Sequence, residues 1–131
     1  MARVQRLQHA SVGIEAGREA EARAFYTGVL GLREKPRPIG LKNNPVIWFD
    51  AGDAEHEVHL MALPPYVPPE GNHLCLEVDD LDAMRAQIKA HGIAEEDAPA
   101  IDHRPRLVLK DPFGNGIELT QITGRFTPVD E

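Results

Sequence analysis

Polar and apolar residues alternate over residues 7–14 (LQHASVGI). Ala10, Val12 and Ile14 fall on one side, and His9, Ser11 and Gly13 on the other. A period of two predicts a strand with one buried face. Residues 17–30 (GREAEARAFYTGVL) change period: Ala20, Ala24 and Phe25 share a face, and Gly31 suits a helix stop. Three short strands are expected next, at 32–35, 46–49 (VIWF) and 57–63 (EVHLMAL). The turn formers Pro36, Pro38, Gly40 and Asn43-Asn44-Pro45 lie between the first two. Residues 64–70 then carry four prolines and read as a stiff extended linker.

After the linker the pattern restarts. In 72–78 (NHLCLEV), His73, Cys75 and Glu77 oppose Leu74, Leu76 and Val78. Residues 81–91 form an amphipathic helix with Leu81, Met84 and Ile88 on one face, Asp80 as N-cap and Gly92 as stop. A weaker strand is expected after Ile93, then strands at 106–110 (RLVLK) and 116–122 (GIELTQI), and a loosely ordered tail from Thr123. Each half reads strand–helix–strand–strand–strand. The expectation is one α+β domain over 1–131, built from modules at about 5–63 and 71–122.

Composition narrows the setting. The chain has 131 residues, is 42% hydrophobic and carries a formal charge of −7. An acidic balance argues against nucleic acid as a partner. No apolar run reaches the roughly 20 residues that cross a bilayer, and the N-terminal stretch has no apolar core of the secretory kind. Cys75 is the only cysteine, so no intrachain disulfide forms, which suits a reducing cytoplasm. Two helices are too few to cover two sheets, so a homodimer is expected.

The repeat places chemistry at matched positions. His9 and His73 each open the first strand of a half, and His59 and Glu118 each sit in the last. All four lie opposite their flanking aliphatics. Three imidazoles and a carboxylate make a competent set for a divalent Zn, Ni, Fe or Mn ion. A cation would also explain an acid between Ile117 and Leu119; the alternative is a Glu118 exposed on a one-sided sheet. His56, His91 and His103 sit in turns or at a helix end and read as non-ligands. Cys75 reads as a small buried hydrophobe. Trp48 reads as a wall of the core and cavity. Arg106 stands either to meet an anionic substrate or as an edge-strand arginine in solvent.

From its start to about Ile122 the chain resembles the glyoxalase/bleomycin-resistance/dioxygenase (vicinal oxygen chelate) superfamily. The resemblance is carried by H-A-S-V, F-Y-T-G-V-L-G-L, E-V-H-L-M, N-H-L-C-L-E-V-D-D-L-D and D-P-F-G-N-G-I-E-L. It implies paired βαβββ modules in a cupped, mostly antiparallel sheet around a metal-centred cavity, with metal positions on His9, His59, His73 and Glu118. It also implies a small-molecule substrate chelated through neighbouring oxygens by a metal-dependent enzyme of the lyase or isomerase type. Glu118 or His59 would be the proton-moving residue, and Arg106, Trp48 and Ser11 would contact substrate. Ser11 falls where fosfomycin transferases of the family carry a catalytic hydroxyl. His59 replaces the carboxylate or carboxamide usual in glyoxalase I, which weakens a glutathione-linked substrate. The same resemblance admits two other outcomes: a metal-free protein that binds drug-like molecules, and an extradiol-type dioxygenase using His9, His73 and Glu118.

Overall fold

The computed structural model describes residues 1–53 and 55–129. The chain forms two compact units, Met1–Val67 and Pro68–Glu131, divided inside the proline-rich linker. In the first, β1 (His9–Glu15) leads into α1 (Glu19–Arg23), followed by β2 (Arg33–Lys35), β3 (Val46–Asp50) and β4 (Glu57–Leu63). The strand order is β1-β4-β3-β2, with β1 parallel to β4 and the other pairings antiparallel. In the second, β5 (His73–Glu77), α2 (Leu81–Ala90), β6 (Arg106–Lys110) and β7 (Gly116–Thr120) give a sheet of order β5-β7-β6. Here β5 runs parallel to β7, and β6 antiparallel to it. The fold is α+β with two mixed sheets. The strand expected after Ile93 is reduced to one bridge, Glu96 to Val108; Pro99 and Pro105 each lack the N–H a ladder needs.

Each sheet buries its aliphatic face. In the first unit Ile14, Ile47, Phe49, Val58 and Leu60 are buried with Ala22, Phe25, Tyr26, Val29 and Leu30 of the helical segment. The first helix differs from the regular one expected. It starts two residues late because Gly17 is left-handed (φ 92°). Beyond Arg23 it widens into a π-type turn over Ala24–Val29, closed by a bond from Leu30 N–H to the Phe25 carbonyl. Gly28 weakens the tighter helix. The wider turn keeps the adjacent pairs Phe25–Tyr26 and Val29–Leu30 inside, where Tyr26 stacks on Phe49 at 5.9 Å. In the second unit Leu74, Leu81, Ile88, Leu107, Leu109, Ile117 and Leu119 form the core, and Asp80 caps α2 through Ala83 N–H at 3.0 Å, as expected.

The linker is strapped back onto β1. Tyr66 N–H donates to Glu15 Oε2 at 2.6 Å. Its ring lies so close to Gly13 that a Cβ there would sit 2.1 Å from Tyr66 Cε1. Gly13→Ala is therefore expected to cost about 1–3 kcal/mol by overpacking, read by urea denaturation. Most of that loss should disappear in the background of Tyr66→Ala.

Candidate functional site

Strand register builds the polar face of the first unit row by row. Across β1, β4, β3 and β2 one row carries His9, Glu57, Asp50 and Arg33, and the next carries Ser11, His59, Trp48 and Lys35. Period-two projection puts all eight side chains on one face. Asp50, Glu57 and His59 are buried. Withdrawn carboxylates need cations. Arg33 Nη2 lies 2.6 Å from Asp50 Oδ2, and Lys35 Nζ lies 2.9 Å from Asp50 Oδ1 while also pairing with Glu57 Oε2. The Lys35 ammonium is the main reason the Glu57 carboxyl falls from 4.5 to about 2. Asp50 is likewise lowered, chiefly by Arg33.

Glu57 uses its other oxygen on His59, with Nε2 to Oε1 at 2.8 Å. The His59 ring lies between Trp48 (centroids 3.8 Å apart, planes 14° apart) and His9 (4.1 Å, 24°). His9 Nδ1 meets Gln8 Oε1 at 2.5 Å. These rings line a cleft of about 720 Å³ whose other walls include Pro36, Leu41 and Met61. Ser11 and Trp48 line the same cleft.

In the second unit the loop Asp111–Asn115 aims β7. Asp111 Oδ1 accepts from the N–H groups of Phe113 and Asn115, both at 2.8 Å, and Oδ2 accepts from Asn115 Nδ2 at 2.8 Å. Gly114 supplies the left-handed turn (φ 87°). Glu118 then projects between buried Ile117 and Leu119, and its carboxylate finds two partners. Arg106 Nη1 is 2.9 Å from Oε1, and His73 Nε2 is 3.3 Å from Oε2. His73 Nδ1 faces the Gly71 carbonyl at 3.3 Å. Gly116 stands opposite His73 in register, and a Cβ there would meet His73 Cβ at 2.9 Å. The bare glycine lets His73 approach Glu118. Arg106 is committed within the unit, because Nε and Nη2 both donate to the Pro99 carbonyl.

The expected ligand residues thus occur as neighbours within each unit, His9 with His59 and His73 with Glu118. Among the described residues no group of three or more His, Cys, Asp or Glu is gathered for a metal. Cys75 is exposed, not a buried hydrophobe; it faces Glu118 across the ladder, and partial loss of hydration at the sulfur, followed by that charge, raises its thiol pKa. Glu57, Lys35 and Asp50 were not singled out from sequence. Their common signal was available: each lies an even number of residues from a residue on the same face.

A chain with this fold and these paired polar faces has relatives of known structure. The profile of the Glyoxalase/Bleomycin resistance protein/Dioxygenase superfamily matches residues 6–119. The chain belongs to that superfamily. A glyoxalase family protein from Bacillus anthracis is similar at 31% identity and a TM-score of 0.84, over 93% of this chain and 98% of that one. The antibiotic-binding protein TnmS3 from Streptomyces sp. CB03234 is similar at 24% identity and a TM-score of 0.74, over 93% and 99%. A lactoylglutathione lyase from Agrobacterium tumefaciens is similar at 19% and 0.69, over 91% and 95%. The last two speak to fold alone. No curated protein matches the chain. No helix among the described residues is long and apolar enough to cross a membrane.

The lowered Glu57 sets an acid limit. Its stabilising charge is fully present above about 4.5 and is lost as pH falls towards about 2. Thermal melts of the wild type should fall across that window. Glu57→Gln should be about 1.5–3 kcal/mol less stable at pH 7 and flatter between pH 4.5 and 2.

Proposed function

We propose that this protein is a metal-dependent enzyme of the lyase or isomerase type. It would bind a small substrate through two neighbouring oxygens, with His9, His59, His73 and Glu118 as metal ligands. The observation that carries the reading is the 3.3 Å gap between His73 Nε2 and Glu118 Oε2. With the proton on Nδ1, towards Gly71, His73 would turn a lone pair on that carboxylate oxygen; with the proton on Nε2 it would donate to it. Two such acceptors stay close only with a proton or a cation between them. Two ligands held about 2.0–2.2 Å from one ion are separated by about 3.0–3.5 Å, so this pair fits. Three imidazoles and one carboxylate suit Zn, Ni, Fe or Mn. When bound, such a cation supplies Lewis-acid stabilisation of charge developing on a substrate oxygen.

The chain's own groups have separate tasks in this reading. His9 offers Nε2, because Nδ1 is turned to Gln8. Arg106 fixes one oxygen of Glu118 and leaves the other to hold a ligand or take a proton. His59 is the second candidate for moving a proton. Trp48 supplies an apolar wall, Ser11 a hydroxyl beside His59, and Arg106, held on Glu118 and the Pro99 carbonyl, positive charge beside the carboxylate an anionic substrate would approach. The enzyme would work as a homodimer in the cytoplasm. In support, β1 and β5 each end their own sheet, leaving one edge to pair.

A second reading, a metal-free binder of planar drug-like molecules, is favoured by the Trp48–His59–His9 stack along the cleft of the first unit. Thermal melting of wild type and Glu118→Gln, each with added Zn, Ni, Mn or Fe(II) and each with chelator, separates the two. The metal reading expects a concentration-dependent rise for the wild type and at least about tenfold weaker metal binding for the variant. Equal responses would remove Glu118 from the ligand set, and no response from either protein would favour the second reading. Light scattering at micromolar protein should give twice 14.5 kDa; a stable monomer would dismiss the dimer.

A further inference from the structure

Each histidine that opens a first strand turns Nδ1 towards an oxygen. His9 Nδ1 faces Gln8 Oε1 at 2.5 Å and His73 Nδ1 faces the Gly71 carbonyl at 3.3 Å. Gln8 Nε2 donates to the Glu55 carbonyl at 3.3 Å, so its amide oxygen is the atom turned to His9. In His9 the nitrogen near the backbone serves as donor and Nε2 is left with a lone pair, whereas His73 faces an acceptor on each side, the Gly71 carbonyl at Nδ1 and Glu118 Oε2 at Nε2, both at 3.3 Å. His59 is held the other way round from His9. Its Nε2 lies 2.8 Å from Glu57 Oε1, and a carboxylate accepts but does not donate, so the proton belongs on Nε2.

The support behind that bond is strong. Glu57 is buried, and its other oxygen is taken by Lys35, which also pairs with Asp50. The carboxylate therefore has little freedom to turn away. Trp48 and His9 cover the two faces of the His59 ring, so the imidazole cannot flip about its χ2 without breaking both stacks.

We propose that Glu57, anchored by Lys35, is the positioning residue of His59: it fixes the ring orientation and holds the proton on Nε2, leaving Nδ1 as the one nitrogen His59 can offer to a metal or a substrate proton. A carboxylate that orders the far nitrogen of a functional histidine is a recurring device at such sites. The hydrogen bond and its lock stand on geometry alone; the use of Nδ1 towards a metal rests on the ligand reading above.

Nitrogen-15 and proton NMR of the metal-free protein at pH 7 tests the lock. Wild-type His59 should show a slowly exchanging, low-field proton on Nε2 and an unprotonated Nδ1. His59→Asn should remove both signals and assign them. In Glu57→Met, of similar length but without an oxygen acceptor, the low-field proton should be lost while the backbone spectrum of β1 and β3 is kept. Glu57→Gln, which retains an acceptor, should keep it at higher field. A wild-type proton on Nδ1, or an unchanged His59 spectrum in Glu57→Met, overturns the proposal; the first of these needs no variant to fold. Loading with cadmium-113 separates the two ideas. Coupling of the metal to His59 Nδ1 supports both. Coupling to His59 Nε2 overturns the positioning role. Coupling to His9 and His73 with His59 unchanged removes His59 from the ligand set and leaves the lock by Glu57 standing.

Discussion

A carboxylate taken out of water must be met by positive charge or by donors, and this requirement organises both polar faces. Glu118 is met by Arg106 and His73, Glu57 by Lys35 and His59, and Asp50 by Arg33 and Lys35. None of these pairs is local in sequence except Glu57 with His59. Each depends on strands being laid side by side in one register. A slip of one residue in β4 would send Glu57 and His59 into the aliphatic core and Val58 and Leu60 out. The hydrophobic effect sets the register, and the register supplies every charge with its partner.

The same dependence explains what could be read from sequence. Alternation located Glu57–Leu63 and Arg106–Lys110 to the residue; Arg106–Lys110 keeps a strict period of two, whereas the first four residues of Glu57–Leu63 are all buried. It also put His9, His59, His73 and Glu118 on the polar faces. Alternation says which face a side chain takes but not who stands across the ladder. So Arg106 could not be chosen between substrate and solvent, and its actual commitment to Glu118 and the Pro99 carbonyl came only from the structure. Lys35, Asp50 and Glu57 were not singled out from sequence, and two of the three are buried. The π-type turn was also hidden, since its wider period mimics an ordinary helix with one extra apolar neighbour.

The two units solve one problem with different materials. Each joins its first strand to its last in parallel and puts a histidine at the head of the first. The first unit adds a second imidazole, an aromatic neighbour and a buried charge chain. The second uses a carboxylate and a guanidinium and makes room with a glycine at 116. Membership of the superfamily accounts for the shared frame. The differences are where a particular chemistry is to be sought.

The Asp111–Asn115 loop carries a consequence for how the molecule ages. Asn115-Gly116 is the kind of dipeptide in which the following amide nitrogen readily attacks the side-chain carbonyl, closing a succinimide and losing ammonia. Here Asn115 is buried, and its Nδ2 and N–H are both tied to Asp111. The native loop withholds the geometry that ring closure needs, and only opening the loop exposes the clock. Once deamidated, position 115 would set a second carboxylate against Asp111 where an amide had donated, and like charges in a buried turn repel. The damaged loop could not close as before, and the error would pass into β7 at Gly116 and on to Glu118.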